Sequence, residues 1–186
     1  LELTETQKRF MDADADEVLF GGAAGGGKSY GQLADALIYA LKYPKSRQLI
    51  LRKTYPELEH SLILVSLEFY PRSACRYAAS SRKWIFLNGS IIEFGFCAAK
   101  TDVLRYQGAE YDVVRFDELT HFTEDQYTYL ISRIRGVNSY PKMVKSSTNP
   151  GGIGHNWVKR RFIDGFEPNT VHTDKETGAR RLFIPS

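Results

Sequence analysis

Val18-Leu19-Phe20-Gly21-Gly22-Ala23-Ala24-Gly25-Gly26-Gly27-Lys28-Ser29-Tyr30 is the stretch that decides the fold. A short apolar run enters a glycine-rich loop, and from Gly22 to Ser29 the pattern G-x-x-x-x-G-K-S is complete. The residue types follow from the chemistry of holding a polyphosphate. Successive backbone N–H groups must wrap the anion closely, which glycine dihedrals allow. The loop is therefore Gly22, Ala23, Ala24, Gly25, Gly26 and Gly27. Lys28 sets a compact positive charge on the β- and γ-phosphates, and Ser29 offers its hydroxyl to Mg²⁺. Tyr30 belongs to the same nucleotide-contacting run, at the start of a helix whose positive end faces the anion.

Outward from this loop, strands and helices alternate. Leu33, Leu37 and Leu41, with Ala34 and Ile38 beside them, predict one buried face of the helix after the loop, ended by Tyr43-Pro44. Gln48 to Arg52 reads as a strand. Pro56 opens a helix whose apolar stripe is Leu58, Leu62, Val65 and Phe69, and Pro71 stops it. Trp84 to Phe94 predicts a β-hairpin, with Asn88-Gly89 as the two positive-φ residues of a type I′ turn. Tyr111 to Asp117 is a strand interrupted by Arg115. Thr123 to Gln126 is a capping box ahead of Tyr127, Leu130, Ile131 and Ile134 at helical spacing. Lys142 to Thr148 is a further strand. His155 to Phe162 reads as a short helix and Val171 to Pro185 as a β-ribbon. The expected class is α/β: a mainly parallel central sheet with helices on both faces, plus a β-hairpin.

Two further motifs fit the loop. An apolar strand ending in Asp117-Glu118 supplies one carboxylate for the hydrated Mg²⁺ and a second, one residue on, to polarise an attacking water. Thr148-Asn149-Pro150 ends the next strand, where Asn149 can hydrogen-bond that water or the γ-phosphate; an Asn-Pro turn is the plain alternative. Gln7 completes a capping box, Thr4-Glu5-Thr6-Gln7, and its amide can equally read an adenine edge, since it donates and accepts together.

Composition leaves these readings standing. The chain has 186 residues, 42% hydrophobic and 25% charged, values of an ordinary globular domain. Its longest apolar runs fall well short of the roughly 20 residues of a membrane span, and its first residues lack the basic-then-apolar pattern of a secretory signal. The net charge of +3 says little about a nucleic-acid partner. Cys75 and Cys97 read as two buried free thiols rather than a metal site.

The order of motifs carries a resemblance. Leu3-Thr4-Glu5-Thr6-Gln7, the loop through Ser29, Leu51-Arg52-Lys53-Thr54-Tyr55-Pro56-Glu57-Leu58, Leu104-Arg105-Tyr106-Gln107-Gly108, Phe116-Asp117-Glu118 and Ser147-Thr148-Asn149-Pro150-Gly151-Gly152 follow one another. Together they resemble the ATPase domain of the large terminase subunit of tailed bacteriophages, over residues 1–152. The resemblance implies a RecA-like P-loop ATPase that uses ATP and Mg²⁺, with Gln7 on adenine and the Thr148–Pro150 segment coupling hydrolysis to movement. It implies work in the host cytoplasm with viral double-stranded DNA, a portal protein and a small terminase subunit, in a homo-oligomeric ring when assembled. Near-balanced charge and the lack of an apolar heptad point to a monomer in isolation. It also implies an arginine acting on the γ-phosphate, supplied by the same chain or, as often in ring ATPases, by a neighbouring subunit. Arg105 is the first choice, with Arg52, Arg133 and Arg135 as alternatives. Residues 153–186 are then an extension or linker toward a nuclease domain that this chain lacks. The competing reading is a fragment of a DEAD-like helicase or nucleic-acid-remodelling ATPase, which shares the loop and the acidic pair.

Overall fold

A computed structural model describes residues 3–21, 27–149 and 154–186. Among these, α1 is Glu5–Asp12, β1 Glu17–Gly21, α2 Lys28–Lys42 and β2 Arg47–Arg52. Then come α3 (Tyr55–Leu58), a π-helical turn (Glu59–Ile63) and α4 (Leu64–Phe69). β3 (Cys75–Ala78), β4 (Lys83–Phe86) and β5 (Ile91–Phe96) form a meander, followed by a 3-10 segment, Lys100–Tyr106. β6 is Val113–Asp117, α5 Glu124–Ile131, β7 Met143–Thr148, α6 His155–Phe162, β8 His172–Thr173 and β9 Arg180–Pro185. No helix among the described residues is long and apolar enough to cross a membrane.

One sheet holds every strand, in the order β3-β4-β5-β2-β6-β7-β1-β9-β8. The run from β5 to β9 is parallel, and β3, β4 and β8 add antiparallel edges. β7 lies between β1, which leads into the glycine-rich loop, and β6, which ends in Asp117. The carboxyl ends of these three strands therefore form one rim, where α/β sheets place their ligands. Gly21 makes that rim tight. A Cβ there would lie 2.0 Å from the Thr148 carbonyl oxygen, and its φ of +153° is one side chains rarely adopt.

Alternate residues of each strand pack on opposite faces. Leu19, Leu51, Val114 and Phe116 meet Phe122 just ahead of α5, Tyr127 and Leu130 on α5, and Trp157 and Phe162 on α6. Ile50, Ile92 and Phe94 meet α2 and the π-helical turn through Leu33, Ala36, Leu62 and Ile63. α1 covers β1 and β9, with Phe10 stacked on Phe20.

Four sequence expectations are corrected. The apolar spacing on α2 marks its buried face only in part: Leu33 and Ala34 are buried, but Ile38 and Leu41 are nearly half exposed while Gln32 and Asp35 are buried. The cause is Arg115, wholly buried on β6. Its Nη1 donates to Asp35 Oδ2 at 2.6 Å and its Nε to Gln48 Oε1 at 2.9 Å. Lys145 Nζ also pairs with Asp35 at 2.9 Å, so one carboxylate offsets two buried cations. Burial pushes the Lys145 ammonium below its ordinary pKa while Asp35 pulls the other way. Removing Asp35 would leave both cations uncompensated, a loss of about 3–5 kcal/mol.

The π turn inserts one residue into the helical phase, so the buried set runs Leu58, Leu62, Ile63, Ser66 and Tyr70 instead of continuing to Val65 and Phe69. In the hairpin only Gly89 has positive φ, at 88°. Gly89 N–H donates to Phe86 O and Phe86 N–H to Ser90 O, while Asn88 Nδ2 binds Ala40 O at the end of α2. The turn thus runs from Phe86 to Gly89 with Leu87 and Asn88 at its centre and Gly89 as the one left-handed residue after it, a three-residue connection instead of the two-residue type I′ turn.

The boundary expected at 152 does not divide the sheet either. β9 pairs in parallel with β1 from Glu17↔Arg181 to Gly21↔Pro185, so the segment expected as a linker supplies a strand and a helix of the same unit. Glu17 fastens it, accepting from Arg161 Nε and Arg181 Nε at 2.8 Å each and from the Tyr127 hydroxyl at 2.7 Å. Cys75 and Cys97 are free and buried, as the sequence suggested.

Candidate active site

The site lies on the rim formed by β1, β7 and β6. Lys28 and Ser29 open α2, so both sit at the helix's positive end. Gly27 precedes them with φ of 100°, a conformation glycine tolerates. Gly22, Ala23, Ala24, Gly25 and Gly26, and likewise Pro150, Gly151 and Gly152, lie outside the described residues.

Ser29 Oγ donates to Asp117 Oδ2 at 2.9 Å, and Ser147 Oγ on β7 donates to Asp117 Oδ1 at 2.9 Å. Lys28 Nζ donates to Asn149 Oδ1 at 3.2 Å, and Asn149 Nδ2 donates to Glu118 Oε1 at 2.8 Å. An ammonium only donates and a carboxylate only accepts, so these two partners fix the orientation of the Asn149 amide. Thr148 Oγ1 meets Thr120 Oγ1 at 3.2 Å and braces the strand end beneath. Glu118 turns the chain out of β6 in the left-handed region, φ 59° and ψ 63°. A glutamate held there costs roughly 1–2 kcal/mol, a cost typical of residues whose placement matters for function. A cavity of about 400 Å³ takes Lys28, Ser29, Tyr30, Arg52, Glu118 and Asn149 into its wall.

Gln7 does more than cap α1. Its backbone N–H donates to Thr4 Oγ1 and its Oε1 accepts from Thr4 N–H, while Nε2 donates to Gly27 O at 2.9 Å. The first helix is thereby tied to the end of the phosphate loop. One amide hydrogen and one lone pair of the side chain are not used by these three bonds.

Arg105 is not brought to this cavity. It sits nearly half exposed on the 3-10 segment, its guanidinium 4.6 Å from the Phe96 ring centre and Nη2 3.6 Å from Asp102. It lines a separate polar cleft with Arg47 and Glu93. Arg52 is the arginine in the site, with Nη1 2.7 Å from Asp117 Oδ2. Sequence reasoning raised Arg52 only as an alternative finger. The β2–β6 register explains its place: Leu51 faces Phe116, so the next residue on β2 stands beside Asp117. Gln32 was missed altogether. Its Nε2 donates to Phe116 O at 3.3 Å and to Lys145 O at 2.8 Å, which ties α2 to both β6 and β7. A polar residue one turn after the Lys-Ser pair was the only sign of it.

A three-strand rim with a lysine-serine helix start on one side and an acidic strand end on the other, in a mainly parallel sheet covered on both faces, defines the RecA-like P-loop class. Residues 14–183 match the family described as phage terminase large subunit, and the chain belongs to that family. No curated protein matches the sequence. Among solved structures, the large terminase from a thermophilic bacteriophage is similar over the whole chain and 46% of its own, with TM-score 0.74 and 14% identity. Other structures of that protein hold ADP and ATP-gamma-S. The large terminase ATPase domain of Thermus phage P74-26 is similar over 99% of this chain and 80% of its own, with TM-score 0.63 and 18% identity. The N-terminal domain of the DNA packaging ATPase from bacteriophage phi29 is similar over 96% and 94%, with TM-score 0.61 and 12% identity. The chain spans less than half the length of the first of these proteins. None of these findings supports the helicase-like alternative.

Proposed function

We propose that the chain hydrolyses ATP and that this hydrolysis drives viral double-stranded DNA into a procapsid, as the motor part of a large terminase. The observation that carries the reading is the hydrogen-bonded line Lys28–Asn149–Glu118 beside the Ser29–Asp117 pair. A hydroxyl and a carboxylate in contact are a hard-oxygen donor set, the kind that holds a largely hydrated Mg²⁺. Ser29 would hold that ion directly and Asp117 through its waters. Bound there, Mg²⁺ would neutralise charge on the β- and γ-phosphates.

The chain's own groups do the remaining work. The loop from Gly22 to Gly27 wraps the phosphates, Lys28 charges them, and Tyr30 flanks them. Gln7 spends its remaining hydrogen-bonding capacity on the adenine edge. Glu118 takes the proton of the attacking water, and Asn149 holds its carboxylate while touching the γ-phosphate side. Thr148 backs Asn149. Arg105, exposed and outside its own chain's cavity, serves the neighbouring subunit of a ring, where its planar fork stabilises charge developing in transfer. Portal protein and small terminase subunit complete the machine in the host cytoplasm.

Phosphate release from ATP, with and without double-stranded DNA, tests the reading. Lys28→Ala should abolish both turnover and tight MgATP binding. A Lys28→Ala protein that turns over like wild type would sink the phosphate-loop assignment.

A further inference from the structure

Asp117 is crowded. Its Oδ2 accepts from Ser29 Oγ at 2.9 Å and from Arg52 Nη1 at 2.7 Å, and its Oδ1 accepts from Ser147 Oγ at 2.9 Å. A carboxylate oxygen has two lone pairs, so Oδ2 is fully engaged. A hydrated divalent cation at Ser29 needs the same oxygen as an acceptor for its water. It also places two positive charges beside a guanidinium. Arg52 and the cation therefore compete for Asp117, by hydrogen bonding and by charge.

A second place for Arg52 is already built. Arg52 Nε lies 3.7 Å from Glu57 Oε2 on α3. Both atoms are buried, and neither has a hydrogen-bond partner among the described residues. Two buried, facing, unsatisfied groups of opposite charge are costly. A shift of less than about 1 Å would turn the 3.7 Å separation into a hydrogen bond. His121 Nδ1, at 4.0 Å, is the other group near that oxygen.

We infer that Arg52 is an exchangeable counter-ion between Asp117 and Glu57, so that this pair sets how strongly the site holds its divalent cation. The inference rests on the nucleotide-site reading and deepens it. Displacement by the cation moves Arg52 toward Glu57, and Glu57 makes that displacement cheap. The two residues therefore have opposite effects on metal affinity although they belong to one ion pair.

The test uses mant-ADP fluorescence. The readout is the ratio of the dissociation constant in EDTA to that in saturating Mg²⁺, which reports metal coupling without turnover. Arg52→Gln removes the competitor and should raise the ratio, by about three- to tenfold for one charge at a partly buried site. Glu57→Gln removes the alternative place and should lower it by a similar factor. The double variant should follow Arg52→Gln, because with no arginine Glu57 has nothing to receive. Ratios unchanged in both single variants, or shifted in the same direction, overturn the inference. Glu57 is 40% exposed, so Glu57→Gln keeps the fold and decides the matter alone if Arg52→Gln fails to fold. Wild-type protein that does not bind mant-ADP at all sinks the nucleotide reading and the inference with it. Binding with unmoved ratios sinks the inference only.

Discussion

Asn149 Nδ2 donates to Glu118 Oε1 at 2.8 Å, while the other end of the same amide accepts from Lys28. The residue just past β7 thus aims the carboxylate just past β6. Asn149→Ala should free Glu118 to rotate. The expected loss is about 10²-fold in kcat, the size seen when a reacting group is misplaced by an ångström. Nucleotide affinity should stay within a few fold, since Lys28 remains. Steady-state phosphate release alongside mant-ATP binding separates the two effects; an affinity loss as large as the rate loss would mean Asn149 holds phosphate and not the base.

Arg105 and Glu118 should complement between subunits. Each of Arg105→Ala and Glu118→Gln alone should lose turnover, the second by about 10²–10⁴ because glutamine cannot take a proton. A mixture lets an intact Glu118 meet a neighbour's intact Arg105. Partial recovery of phosphate release, growing with protein concentration, is the expected outcome. No recovery where wild type is active and associated would return the role to an arginine of the same chain.

Gly21→Ala should destabilise without touching the chemistry directly. The added methyl would lie 2.0 Å from Thr148 O, so β1 and β7 must part at the rim. Overpacking of this kind costs about 2–3 kcal/mol, which for this length lowers Tm by roughly 4–12 °C. Calorimetry reads it directly, and an unchanged Tm would mean that the strand ends separate freely.

Glu17 should make the β9 side of the sheet acid-labile. Burial raises its pKa, but hydrogen bonding and charge from Arg161, with Tyr127 and Arg181 adding to it, outweigh burial and hold it below its ordinary 4.5. A depressed folded value means that the stabilisation is complete above the unfolded pKa and fades as pH falls through the folded one. Protection factors of the amides in β9 and α6, taken relative to intrinsic exchange at each pH, should therefore fall below about pH 4, ahead of those in β2 and β6. A uniform fall across the sheet would count against a local role for Glu17.

Lys28-Ser29, Asp117-Glu118 and Thr148-Asn149, which the fold brings to one rim, stood out in the sequence because the chemistry proposed for them asks for those residue types next to each other. The partners of those residues did not, because they are set by strand neighbours. Arg52 reaches Asp117 only through the β2–β6 register, and Ser147 only through β7. Apolar spacing gave the existence of α2 and of the helical run from Tyr55 to Phe69, and placed Leu33, Ala34, Leu58 and Leu62 on the buried side, but misread the rest of each face. In α2 a buried arginine recruited Gln32 and Asp35 inward; in the second, a π turn shifted the phase. β3 went unseen, since four residues without alternation give no strand signal. Gln7 illustrates a residue with two compatible uses: the capping box is plain in sequence, whereas its bond to Gly27 needed the fold.

β1 is flanked by β7 on one side and β9 on the other, so the strand that leads into the phosphate loop is nowhere at the border of the sheet. A shortened form ending before Arg180 would expose a row of unpaired β1 amides and carbonyls along an apolar strand, Val18-Leu19-Phe20, that is ready to pair with another chain. Self-association of such a fragment would be templated by the very strand that leads into the glycine-rich loop, and β9 is in that sense the protein's guard against aggregation.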